Sequence, residues 1–189
     1  RFVNAFDYKV LILAHRKELL VQNGGALSDH GVNFSLYCAG LNEKDLSSKV
    51  VVASQGSFTA NNLKDFKPDV IICDEAHRIN TNSTGRYREL IEESGAHLIG
   101  LTATPFRLRG TENFSIIKDR LDKRDTRLFT HLIQTASIPE LIKEKHLCDL
   151  ISFAPQKASI DRTKLKTSST GDFVLSSIAA THEQIIGLS

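Results

Sequence analysis

The stretch VIICDEAHRI, Val70 to Ile79, decides how the chain is read. Four apolar residues, Val70 to Cys73, run directly into two adjacent carboxylates, Asp74 and Glu75. A run that short, rich in β-branched residues and apolar at consecutive positions, is the pattern of a strand covered on both faces. Three other runs share it: VLILA (Val10 to Ala14), VVVA (Val50 to Ala53) and LIGL (Leu98 to Leu101). Between the runs lie segments with helical spacing, Arg16 to His30, Asn61 to Phe66 and Thr84 to Glu93. This alternation predicts an α/β fold, a parallel sheet flanked by helices. In such sheets ligands gather where the strands end and helix N-termini begin, and the acid pair sits at such an end.

The rest of the chain supplies weaker signals. Gly24 and Gly25 interrupt the first helical segment, each costing roughly 1 kcal/mol relative to alanine, so a kink or an early helix end is expected there. Ser137-Ile138-Pro139-Glu140 has capping-box spacing with proline in the first turn, predicting a helix through Leu147. Pro155 to Asp172 is polar and reads as a linker before a short helix over Leu175 to Ile186. Arg107 to Arg127, with seven Lys/Arg against four Asp/Glu, reads as a solvated, mobile loop.

Composition narrows the class without naming it. With 189 residues, 41% hydrophobic and 24% charged, the chain is sized for one real core. A net charge of +2 neither announces nucleic acid nor excludes it, because a basic face can hide in a balanced total. Cys38, Cys73 and Cys148 are odd in number and far apart, which argues against a disulfide framework or a zinc site and makes a reducing cytoplasm the default. No apolar segment has the length of a bilayer span, so no membrane anchoring is expected.

The chemistry that needs two acids at a strand end is metal-assisted phosphate chemistry. Mg²⁺ prefers one or two carboxylates, waters and substrate phosphates to a full protein cage, and a carboxylate at Asp74 suits that role. Side-chain direction alternates along extended chain, so Glu75 is expected to point elsewhere and face the water that attacks a γ-phosphate. Taken alone, an Asp-Glu pair more often starts a turn or caps a helix.

Context shifts that balance. Val70 to His77 resembles the Walker B box of superfamily 2 helicases in its DEAH form. LIGLTATPFR, Leu98 to Arg107, is similar to motif III; VLILAHRKELLVQ, Val10 to Gln22, to motif Ia; and VVVASQGSF, Val50 to Phe58, to the motif Ib region. Four blocks in the right order resemble the restriction-enzyme-like branch of DEAD/DEAH-box proteins, tightly to Arg107 and loosely beyond. The resemblance implies a RecA-like P-loop NTPase fold, with residues 1–150 as part of a first RecA-like domain and 151–189 as the linker toward a second one in the same chain. It implies ATP and Mg²⁺ as cofactors and nucleic acid, DNA rather than RNA, as partner. Asp74 would coordinate the metal, Glu75 would polarise the attacking water, and His77 would link nucleotide and nucleic-acid sides. Thr102 and Thr104 would couple hydrolysis to domain movement. His15, Arg16, Ser54 and Gln55 would meet the sugar-phosphate track, positioning a strand without reading its sequence.

The family pattern also breaks. No glycine is followed by lysine, so the phosphate-cradling G-x-x-x-x-G-K-[ST] loop is absent from residues 1–189. Gly85-Arg86-Tyr87-Arg88 imitates an arginine-finger box but lies between motifs II and III, where that box does not belong. The chain starts at Arg1 within what reads as an element and contains no methionine, so an excerpt of a longer protein is expected. The expected function is an ATP-dependent nucleic-acid helicase whose excerpt alone is inactive. The alternatives are a duplex-tracking translocase of a restriction or repair complex, and a non-hydrolysing nucleic-acid-binding module.

Overall fold

The computed structural model describes residues 7–79, 85–109, 112–119, 125, 127–134, 136–149, 165–166 and 174–178. Its centre is a six-stranded sheet in the order β3-β2-β4-β1-β5-β6. The strands are β1 (Val10–Ala14), β2 (Ser35–Cys38), β3 (Glu43–Lys44), β4 (Val50–Ser54), β5 (Val70–Cys73) and β6 (His97–Gly100). Every pairing is parallel except that of β2 with the two-residue β3. Each of the four apolar runs forms a strand, although β6 starts one residue before LIGL.

Consecutive apolar residues are needed because β1, β4 and β5 bury both faces. On one face Leu11, Leu13, Val51, Ala53, Ile71 and Cys73 pack with Phe58, Phe66, Leu90 and Ile91. On the other, Ala14 and Val52 pack with Leu20, Leu27 and Phe34. Helix α1 (Lys17–Asp29) covers the second face and α2 (Arg86–Ser94) the first.

Several expectations need correction. Helix α1 runs straight through Gly24 and Gly25 rather than ending there. A Cβ on Gly24 would lie 2.7 Å from the Phe34 ring, so packing against that ring outweighs the helix cost of the glycine. Asn61 to Phe66 forms not an α-helix but a 3₁₀ turn, Ala60–Lys64. It is tied down by Asn62, whose Oδ1 accepts from Thr59 N at 2.9 Å and whose Nδ2 donates to the Tyr37 hydroxyl at 2.8 Å.

The Arg107 to Arg127 region is no loose loop where it is described. Strands β7 (Phe106–Arg109) and β8 (Glu112–Ser115) form an antiparallel hairpin, and Ile116 beyond it is buried in the core. The apolar residues Ile116, Ile117, Leu128 and Phe129 anchor this charge-rich segment to the main cluster, which a charge count misses. Helix α3 (Ile138–Lys143) has the expected Ser137–Glu140 capping box but stops before Leu147, with Lys145 in the left-handed region (φ 61°). Residues 175–178 are helical; the rest of the expected linker and last helix lies outside the described residues, apart from 165–166 and 174.

Candidate nucleotide and nucleic-acid site

Parallel register brings the candidate residues to one rim. Leu13 stands level with Ala53 and Cys73, and Cys73 with Gly100. The residues that follow these strand ends therefore leave the sheet side by side: His15 and Arg16 from β1, Gln55 from β4, Asp74 and Glu75 from β5, Leu101 and Thr102 from β6. Ser54 is the last residue of β4 and pairs with Ala14.

The exit of β5 is a tightly bonded turn. Asp74 N donates to Leu13 O at 3.0 Å, and Ala76 N donates to Leu101 O at 3.0 Å, so the chain is held from both neighbouring strands. Asp74 Oδ1 accepts from Glu75 N at 2.9 Å, which fixes the carboxylate against its own backbone. Glu75 then adopts the left-handed conformation (φ 51°, ψ 49°) that leads into a 3₁₀ turn, Ala76–Arg78. A non-glycine residue there costs on the order of 1–3 kcal/mol and persists only where surrounding bonds over-determine it. Strand alternation therefore does not set the direction of Glu75, since β5 has already ended at Cys73 and the chain turns at Glu75.

His77 joins this turn to the exit of β6. Its Nδ1 lies 2.9 Å from Thr102 Oγ1 and 3.3 Å from Glu75 Oε2. Thr102 Oγ1 also accepts from Thr104 N at 3.1 Å and donates to Thr104 O at 3.1 Å. A hydroxyl has one proton, so when it is given to Thr104 O, His77 must carry its proton on Nδ1 and donate to Thr102. Glu75, His77, Thr102 and Thr104 then form one connected chain of polar contacts.

The nucleic-acid candidates divide. Arg16 is exposed in an extended conformation just before α1, and its side chain does not cap that helix. Gln55 N donates to Ala14 O at 3.2 Å, and the Ser54 hydroxyl donates to Ser57 Oγ at 2.7 Å. His15 is half-buried: its Nδ1 is covered and has no hydrogen-bond partner among the described residues. Burial and the nearby Arg78 and Arg16 charges hold its pKa below the ordinary histidine value, partly opposed by Glu75 and Asp74.

Two residues close to the site had no assigned role in the sequence. Arg107, from the segment expected to be solvated, donates from Nη1 to Ile79 O at 2.8 Å and so ties the end of LTATPFR to the end of the acid turn. Tyr87 lies under the turn, where burial and the adjacent Cys73 thiol push its hydroxyl pKa up and burial pushes the Cys73 thiol up to about 12. Their approach falls short of hydrogen-bond geometry for the Tyr87 hydroxyl. Cys73 is accordingly an inert core thiol. Arg88, the last residue of the imitation arginine-finger box, pairs with Glu92 within α2. No sequence signal singles out Arg107 or Tyr87, whose roles depend on which elements pack together.

Beside β6 lies a groove of about 620 Å³ lined in part by Ile99, Leu101, Thr102, Phe129, Leu132 and Ile133. Among the described residues no three metal-ligating side chains cluster, and no helix is long and apolar enough to cross a membrane.

No curated protein matches the chain. Residues 1–107 match the family described as type III restriction enzyme, res subunit, and the match ends at Arg107, the last residue of LTATPFR. With its mainly parallel sheet, the chain belongs to that family of helicase-like ATPase motors of superfamily 2.

Proposed function

We propose that the protein is an ATP-dependent DNA helicase in which hydrolysis at the β5 exit is coupled to movement along a strand. The observation that carries this reading is the bonded path from the acid turn to the β6 exit, through His77 Nδ1 and Thr102 Oγ1 at 2.9 Å. A structural turn needs no such link; a motor needs its hydrolytic acids joined to an element that can move.

The residues fit a magnesium-nucleotide in part. One Asp74 oxygen is committed to Glu75 N, leaving the other to face a cation, and a single carboxylate suits an ion held mainly by phosphates and water. Magnesium-ATP, when bound, supplies the phosphoryl group and the charge that Asp74 meets. Glu75 orients the attacking water and takes up its proton, while His77 holds Glu75 and Thr102 in register. Arg16, Ser54 and Gln55 flank the strand path at the same rim. The phosphate loop and the second-domain arginine have no counterpart in residues 1–189. We therefore assign residues 1–150 to part of the first RecA-like domain and 151–189 to the approach to a second, and residues 1–189 alone do not turn over ATP.

The test is ATP hydrolysis by the full-length protein with and without single-stranded DNA, duplex DNA or RNA, beside strand-displacement and triplex-displacement assays. DNA-stimulated hydrolysis with strand displacement is expected. Triplex displacement without unwinding replaces the helicase by a translocase. Nucleic-acid binding without any hydrolysis leaves only a binding module.

A further inference from the structure

His15 follows a strand whose residues alternate between the two cores: Leu11 and Leu13 on the α2 side, Ile12 and Ala14 on the α1 side. The acid turn is bonded to the end of that strand, where Asp74 N donates to Leu13 O at 3.0 Å, two residues before His15. Its surroundings agree, because the charges it senses include Arg78, Glu75 and Asp74. Its Nδ1 is buried with no hydrogen-bond partner among the described residues, whereas the next residue, Arg16, faces solvent. Buried polar atoms are nearly always satisfied in native structures, so an orphan at a functional rim marks a bond made in another state of the site.

We propose that His15 is a positioning residue that links Arg16 to the acid turn through its buried Nδ1, rather than a contact to the nucleic-acid strand. The inference rests on the motor reading above. A strand gripping Arg16 bears on the backbone of His15, one peptide away, and brings Nδ1 against the Arg78 side of the turn. The partner atom is supplied only when the strand is bound, which makes the hydrolytic geometry depend on occupancy of the nucleic-acid track.

Asparagine and glutamine separate the two imidazole nitrogens. Asparagine places a polar atom where Nδ1 stands; glutamine reaches only the position of Nε2; phenylalanine keeps the ring and removes both. In the full-length protein, with a single-stranded DNA oligonucleotide as ligand, His15→Phe and His15→Gln are expected to lower DNA-stimulated kcat about ten-fold. His15→Asn is expected to keep most of it. Because the bond is made only with the strand bound, the Phe and Gln variants are expected to bind the oligonucleotide about five-fold more weakly, while the slope of log affinity against log salt stays at its wild-type value in all three, since His15 displaces no counterion. Stimulation of the Phe and Gln variants equal to wild type overturns the proposal. So does an Asn variant as impaired as they are, or a salt slope lowered as in Arg16→Ala. Failure of both the Phe and Gln variants to melt like wild type overturns it too, by making His15 a core residue. A wild-type protein that DNA does not stimulate overturns the motor reading and this one with it.

Discussion

Two strand exits lie side by side on the rim and are built in opposite ways. The β5 exit is over-determined: backbone bonds reach it from Leu13 and Leu101, Asp74 braces Glu75, and His77 reaches Thr102. The β1 exit is bonded to the neighbouring exits through its backbone only as far as Ala14, which accepts from Gln55 N; beyond it Arg16 is exposed and leaves α1 uncapped by its side chain, and His15 Nδ1 is unpaired among the described residues. A water and a phosphate must be held to within fractions of an ångström for hydrolysis, which the rigid exit suits. A sliding strand must be gripped and released, which favours groups that are not locked in advance. Under the proposed function, the contrast suits chemistry at β5 and an adaptable grip at β1.

The largest effect expected lies at the rigid exit. Glu75→Gln keeps the shape of the side chain and removes the base, so turnover of the full-length protein should fall about 10²–10⁴-fold with nucleotide binding retained. Wild-type turnover by this variant would remove Glu75 from the chemistry.

Next comes Gly100, whose absent side chain lets the turn sit where it does. An added Cβ would meet the Phe129 ring at 2.5 Å and Ala76 Cβ at 2.6 Å. Phe129 is half-buried at the edge of the core, whereas Ala76 is buried and bonded through its N–H to Leu101, so it moves only with the acid turn. Gly100→Ala should therefore destabilise the fold by about 1–3 kcal/mol in chemical denaturation, as overpacking does. An unchanged midpoint would show that the β5 exit is looser than its bonds imply.

Thr102→Val is subtler, since it keeps the β-branched shape and deletes the hydroxyl that His77 and Thr104 share. Removing that bond should cost about 1 kcal/mol of stability and reduce the response of hydrolysis to DNA more than hydrolysis without it. An equal fall in both rates would make Thr102 part of the chemistry instead of the coupling.

What the sequence disclosed follows from what fixes each feature. Strands β1, β4 and β5 were legible because burial on both faces forces uninterrupted apolar runs. Strand β2 was not, because Ser35 breaks the pattern; its burial is balanced by a hydroxyl that donates to Asp45 at 2.8 Å and accepts from Ser48 N at 3.0 Å, partners ten or more residues on. The acid pair and Thr102 were legible as strand-end residues, and parallel register does bring them to one rim. The left-handed turn at Glu75 was not, since a glutamate gives no sign of positive φ and the bonds that impose it come from other strands. The contribution of Arg107 was hidden for a similar reason: in a charge-rich segment only packing shows which arginine turns inward.

The smallest effect is expected at Arg16, and it separates grip from chemistry most cleanly. The side chain is exposed and its removal leaves no buried group unpaired, so Arg16→Ala should leave stability nearly unchanged. Taking one phosphate-binding cation out of a sequence-tolerant track weakens binding to every DNA sequence alike. It also lowers the slope of log affinity against log salt by about 1, because one fewer counterion is displaced. Titrating an oligonucleotide at several salt concentrations measures both quantities. A variant with weaker binding but an unchanged salt slope would mean that Arg16 acts on the shape of the β1 exit and not on a phosphate, and the adaptable grip would then have to be sought at Lys17 or Gln55 on the same rim.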